Sequence, residues 1–291
     1  MWFFYALFSI FAWSGSDVFS KIGSKPSDRY SHWKMIMIVG FVMGLHALYE
    51  LTIGGVRFDW HNMLTYLPVS FLYILSITFG YAGLRYIERS ISSPICNSSG
   101  AVSAILCFLF LKQRMNGLQL FAVILITSGV VLLAYFDRTN STADTERKYA
   151  KSFVGILLPI LYCIIDGLGT FADALVLGRG LLAEAQANIA TEFPFLAVGI
   201  FTFLYLIFVR RQTIRLGQEK PKILAAVCET AGQFTYIFAI GANAILAAPL
   251  IASYSIFSVL WSRLFLKERL TLKHYGIILI VLTGIFILGI E

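Results

Sequence analysis

Long apolar runs separated by short basic turns make up nearly the whole chain. A helix that crosses a bilayer needs about 20 mostly apolar residues. By that measure the sequence predicts ten spans, over 2–22, 32–54, 63–87, 91–111, 117–136, 152–177, 183–209, 221–242, 245–266 and 271–290. The one polar stretch of any length, Asp137 to Lys151, lies between the fifth and the sixth. Trp2 to Phe11 has the apolar character of a signal-peptide core. It lacks a basic leader and the run continues to Phe19, so it is read as the first span.

Two stretches about 155 residues apart carry the same punctuation. Pro94, Ser98, Ser103, Leu109 to Arg114 and Gly129 in the first correspond to Pro249, Ser253, Ser258, Leu264 to Arg269 and Gly284 in the second. Tyr81 matches Tyr236 at the same offset; in spans one and six the best match shifts by six residues and pairs Trp13 with Tyr162 and Asp17 with Asp166. Self-similarity at this period makes the chain two copies of one unit. Each copy has five spans, so the second enters the membrane from the opposite side. The expected fold is therefore an all-α membrane protein, ten transmembrane helices in a 5+5 inverted-repeat bundle. Residues 1–136 form the first repeat, 137–151 the linker and 152–291 the second repeat. Inverted repeats place a binding site near the midplane and give alternating access by rocking, as in secondary transporters.

Composition narrows the classes. With 58% hydrophobic and 13% charged residues and mean hydropathy +0.78, the chain is not a water-soluble domain. The net charge of +7 sits in turns between spans, which is a topological pattern, so no nucleic-acid partner is expected. Positive-inside counting puts the odd-numbered loops in the cytoplasm and both termini outside. Cys96, Cys107, Cys163 and Cys228 fall inside spans and read as small apolar packing residues. No GxxxxGK[ST] loop, HExxH or GxSxG motif is present, so an ATP pump and common intramembrane hydrolases have no support. Asp17 with Asp166 could supply an aspartyl-protease pair, but the repeat accounts for that pair without catalysis. No cofactor and no metal is expected.

An ionised acid at mid-bilayer costs about 2.5–3.5 kcal/mol on insertion scales, so it should face protein or water. Asp17, Asp166, Asp173, Glu192 and Glu229 lie inside predicted spans, against one internal base, Arg263. Helical spacing gathers polar residues on single faces. Trp13 and Asp17 share a stripe on span one; Tyr162, Asp166 and Asp173 on span six; Asn188 and Glu192 on span seven, beside Pro194; Glu229, Gln233 and Tyr236 on span eight; Tyr254 and Trp261 on span nine. Asn97 follows Pro94 on span four. Asp173 lies close to its span's end, where it reads as solvated, and His46 reads as packing, as do the aromatics in the bland alternative.

Ten spans in a five-plus-five arrangement, Pro94 and Pro249 early in spans four and nine, and the turn Lys267-Glu268-Arg269-Leu270-Thr271 before the last span resemble the drug/metabolite transporter superfamily, and within it the EamA-type transporters. The resemblance covers the whole chain and is sharper in the second half, because Gln113 stands where the first repeat would carry glutamate. It implies a cavity lined by spans one, three, four, six, eight and nine with parts of two and seven, and it implies cytoplasmic termini, opposite to the loop charges. In the superfamily's four-span multidrug proteins an essential glutamate precedes the lysine that closes span one; counting back from Lys21, that place holds Trp13, so the mechanism does not transfer to Asp17.

Acids interleaved with tyrosine and tryptophan suit a cation, each desolvated aromatic face contributing about 0.5–2 kcal/mol. The expectation is a plasma-membrane secondary transporter of a small organic metabolite, a cation or zwitterion such as an amine, a choline-like compound or an amino acid; the alternative is an amino-acid or metabolite exporter without cation preference. The candidate substrate site comprises Trp13, Asp17, Tyr81, Asn97, Tyr162, Asp166, Asn188, Glu192, Glu229, Gln233, Tyr236, Tyr254 and Trp261. Its partners are the substrate and the lipid bilayer, and a proton- or ion-coupling role is open to the same acids.

Overall fold

The computed structural model describes residues 1–24, 28–83, 98–140, 153–265 and 270–290, with backbone only at 80–83, 134, 137–140, 153–156 and 159. Among the described residues the chain forms ten α-helices. They are α1 (Trp2–Gly23), α2 (Ser31–Thr52), α3 (His61–Gly83), α4 (Ser99–Phe110) and α5 (Gly117–Asn140), then α6 (Phe153–Gly178), α7 (Glu184–Leu204), α8 (Lys220–Ala252), α9 (Tyr254–Phe265) and α10 (Leu272–Ile290). Among the described residues six segments are long and apolar enough to cross a membrane, and Ser99–Phe110 and Gly117–Leu133 are shorter apolar helices.

One of the six, Lys220–Phe265, runs for 46 residues, about twice what a hydrocarbon core of roughly 30 Å requires. It holds two spans in series. Asn243, extended at φ −161° and ψ 82°, breaks the helix between the predicted spans eight and nine. Restarting a helix leaves orphan N–H groups. Ile245 finds its acceptor across the bundle, in the Gln113 side-chain carbonyl at 3.0 Å. Gln113 follows Lys112, whose φ of +54° turns the chain after α4. A different repair serves α7, which stays helical through Pro194. Proline cannot donate to the carbonyl four residues earlier, and the Ser70 hydroxyl donates to that Ala190 carbonyl at 3.1 Å instead.

Several of the main helix contacts follow the exchange of α1–α5 with α6–α10. Helix α1 lies along α8 as α3 lies along α6, α4 touches α6 as α9 touches α1, and α2 faces α7 while α5 faces α10. The last contact shows the symmetry residue by residue. A Cβ on Gly129 would lie 2.2 Å from Val281 Cγ2, and one on Gly284 would lie 2.8 Å from Ile126 Cγ1. Gly284 is the repeat counterpart of Gly129, and Val281 of Ile126. Without a hydrophobic drive between helices in lipid, such close approach through small residues is what holds spans together. At α2–α7 a Cβ on Gly40 would sit 2.3 Å from the Phe195 carbonyl oxygen and 2.7 Å from Gly199 Cα.

At one end of the bundle an ionic knot joins the start of α2 to the start of α8. Lys34 Nζ lies 2.8 Å from Asp28 and 3.4 Å from Glu219, which also receives Lys222. Burial opposes ionisation of Asp28, but the Lys34 hydrogen bond and charge outweigh it and hold this carboxyl below its ordinary value of 3.8. A depressed value stabilises the fold above the unfolded pKa, and the stability is lost as pH falls through the folded one.

Two outcomes are expected from thermal melting in detergent. Gly40→Ala lowers stability by about 1–3 kcal/mol through overpacking against backbone, whereas Gly276→Ala, where a Cβ meets nothing within 4 Å, is neutral or stabilising by up to about 1 kcal/mol. Asp28→Asn costs about 0.5–1 kcal/mol at neutral pH and flattens the loss of melting temperature below about pH 4.

Candidate functional site

The interior of the bundle encloses a cavity of about 100 Å³. Helix α1 contributes Trp13 and Asp17, α3 Tyr73 and Ile77, α4 Ser99, and α6 Tyr162, Asp166 and Thr170. Glu229, Gln233 and Tyr236 come from α8 before its break, Ala248, Ile251 and Ala252 from after it, and Tyr254 from α9. The wall is drawn from both repeats. It carries three carboxylates and, among the described lining residues, no lysine, arginine or histidine.

Each acid accepts a serine hydroxyl from a neighbouring helix: Ser258 on Asp17 at 3.0 Å, Ser16 on Glu229 at 2.8 Å and Ser76 on Asp166 at 3.1 Å. These donors replace water around groups that lipid cannot solvate. Each such hydroxyl takes one acceptor position of a carboxylate. Aromatic rings of the wall form a cluster. Trp13 lies 5.1 Å from Tyr236 and 5.9 Å from Tyr254 between ring centroids, and Tyr73 stands edge-on to Tyr236 at 6.3 Å. The Trp13 indole donates to the Glu229 backbone carbonyl at 3.3 Å. Gly232 makes room for it, since a Cβ there would come within 2.4 Å of Trp13 Cδ1. The Gln233 side-chain nitrogen is buried with no hydrogen-bond partner among the described residues. A buried donor left unpaired costs free energy, so it marks a place where a ligand can gain.

Eight of the sequence-derived candidates meet at this cavity: Trp13, Asp17, Tyr162, Asp166, Glu229, Gln233, Tyr236 and Tyr254. Trp261 instead ties α9 to α1, its indole donating to Ser14 Oγ at 2.9 Å. Asn188 donates to the Phe234 carbonyl at 3.3 Å on the far side of α8. Asn97 and the Tyr81 side chain lie outside the described residues, as do Pro94 and Lys267 to Arg269. Arg263 is exposed rather than placed on the cavity wall.

Glu192 belongs to a second polar centre. Its two carboxylate oxygens lie 2.7 and 3.0 Å from His46 Nδ1, and His46 Nε2 is 3.9 Å from Glu50. Glu192 is fully buried, so His46, read as packing from the sequence, is the partner that makes this burial tolerable. Asp173 departs from its sequence reading as well. It is 0% exposed, and its oxygens accept the hydroxyls of Tyr66 and Tyr73. The residues overlooked in the sequence are those on α3. Tyr66, Ser70, Tyr73 and Ser76 fall on one helical stripe and are all buried; the period was there to be read, and the repeat match drew the choice on this helix to Tyr81.

A multi-pass helical bundle that closes a polar cavity between two related halves is the architecture of a membrane transporter. The model of the EamA-like transporter family matches residues 1–135 and 153–290, and the chain belongs to that family. Purine permease 2 of Arabidopsis thaliana is 24% identical over 149 residues, 47% of this chain and 42% of that protein. UDP-galactose transporter homolog 1 of Schizosaccharomyces pombe is 28% identical over 156 residues, 52% and 46% of the respective chains. The chain thus spans less than half the length of either relative. A protein crystal structure superposes with TM-score 0.73 over 99% of this chain and 96% of its own at 12% identity, a likeness of fold alone. The family is one of transporters, and of the two relatives one is named a permease and the other a transporter.

His46→Leu should lower stability by about 1–3 kcal/mol or more by stranding a buried carboxylate, and adding Glu192→Gln should recover part of the loss. Melting of the single and double variants in detergent checks this.

Proposed function

We propose that the protein is a secondary transporter of a small organic cation or zwitterion, an amine, a choline-like compound or an amino acid, in the plasma membrane. The two five-helix repeats, residues 1–136 and 152–291 joined by 137–151, rock about the cavity and open it to each side in turn. One observation carries the substrate class: three carboxylates and a cluster of aromatic rings share a cavity without a basic side chain among its described lining residues. Asp17, Asp166 and Glu229 balance the ligand's positive charge, and Trp13, Tyr236 and Tyr254 offer it their faces. A zwitterion's carboxylate would accept from the free Gln233 amide.

A second reading has support of its own. A relative is a purine permease by name, and flat rings beside the Gln233 amide and Glu229 carboxylate also suit a purine base, which stacks and hydrogen-bonds along its edge. A nucleotide sugar is poorly matched, because its diphosphate would meet three acids.

Binding of a ligand at a hundredfold excess over Kd stabilises the folded state by about 2.7 kcal/mol. Choline should raise the melting temperature of the detergent-solubilised protein, and Asp17→Asn or Glu229→Gln should abolish the shift. Stabilisation by adenine with no response to choline or amino acids would replace the cation with a purine; stabilisation by UDP-galactose alone would overturn both.

A further inference from the structure

Asp173 is a fully buried acid that the substrate reading leaves unused. It lies near the end of α6 at Gly178, where α3 begins alongside at His61, so it sits between the cavity and one face of the bundle. The groups around it are hydroxyls and one further acid. From α3 come Tyr66 on one oxygen and Tyr73 on the other; from α8 comes Tyr236; and Asp166 stands two turns earlier on α6 itself. From α7, Thr191 meets Tyr66. No lysine, arginine or histidine pairs with Asp173 among the described residues. An acid stripped of water and given no cation is held in the membrane interior by hydrogen bonds or by a proton.

The hydroxyls do not stop at the acid. Tyr73 Oη lies 2.6 Å from Tyr236 Oη, Tyr236 lies 2.8 Å from Thr170 Oγ1, and Tyr73, Tyr236 and Thr170 all line the cavity. Each member is both donor and acceptor, so the chain has two polarities. With the carboxylate ionised, Tyr73 donates to Asp173 and Tyr236 donates to Tyr73. With the acid protonated, Asp173 donates to Tyr73, Tyr73 to Tyr236 and Tyr236 to Thr170. Turning one polarity into the other moves one proton from Asp173 to the cavity: the acid gives its proton to the Tyr73 oxygen, Tyr73 passes its own to Tyr236, Tyr236 passes its own to Thr170, and Thr170 releases its own to water in the cavity. Both phenols end neutral.

We propose that Asp173, joined to the cavity by the Tyr73–Tyr236–Thr170 hydroxyls, is the site that takes up and returns the proton exchanged against substrate. The proposal rests on the transport reading above and assigns the coupling proton to a site apart from the acids that face the substrate. A cation entering beside Tyr236 favours the polarity that leaves Asp173 ionised, and substrate departure favours the other. Tyr66, bonded to the second oxygen, lies off the chain that reaches the cavity.

Infrared difference spectra of the purified protein between acidic and alkaline buffer test the site without any substrate. A protonated-carboxyl band that titrates in the wild type should vanish in Asp173→Asn and persist in Tyr66→Phe; its persistence in Asp173→Asn overturns the proposal. Uptake of choline, whose charge does not vary with pH, into liposomes tests the coupling. An opposing proton gradient should raise wild-type uptake at least tenfold, and Asp173→Asn and Tyr73→Phe should lose that stimulation while Tyr66→Phe keeps it. Stimulation that survives in Asp173→Asn, or its absence in the wild type, overturns the assignment. If choline neither binds nor enters, the cation reading fails, and the infrared band still decides Asp173.

Discussion

Carboxylates inside a membrane protein need solvation that neither lipid nor bulk water provides, and this requirement organises the bundle. Each of these acids is met by polar side chains from a helix beside it: Ser258 on Asp17, Ser16 on Glu229, Ser76 on Asp166, His46 on Glu192, Tyr66 and Tyr73 on Asp173. Every one of these bonds crosses from one helix to another. Satisfying the acids therefore also aligns α1 with α8, α3 with α6 and α2 with α7. The packing that brings the helices close enough is of a different kind. Gly40, Gly129 and Gly284 remove side chains where backbone must approach, and small buried residues along α8 such as Ala225, Ala226, Ala239 and Ala244 continue the pattern. Small residues set distance, and polar pairs set register.

The repeats are symmetric in contact and asymmetric in chemistry. Gly129 with Gly284, and Ile126 with Val281, interlock as a two-fold pair. Asp17 and Asp166 face one cavity from α1 and α6. Glu229 on α8 and Asp173 on α6 stand where the first repeat offers no acid at the matching place: Ile74 lies at the counterpart of Glu229 by the main repeat offset, and Ser24 at that of Asp173 by the shifted offset of spans one and six. Gln113 adds to this asymmetry. It departs from the glutamate that the family turn carries, and its side-chain oxygen accepts the Ile245 N–H just after the break at Asn243.

The order of the spans, their division five and five, the membrane setting and the face of each helix that carries acids were legible in the chain, because lipid imposes length, hydropathy and helical period directly on sequence. So was the meeting of Trp13, Asp17, Tyr162, Asp166, Glu229, Gln233, Tyr236 and Tyr254, because repeat symmetry and helical spacing both point inward. Which acid would meet which partner was not. Glu192 turns to His46 and away from the cavity, and Asp173, near a helix end, is sealed by tyrosines from α3. Both pairings join residues 100 or more positions apart and depend on how far each helix is rotated and shifted against its neighbour. That is set by packing at glycines and by hydrogen bonds between helices, neither of which leaves a period in the sequence of either partner.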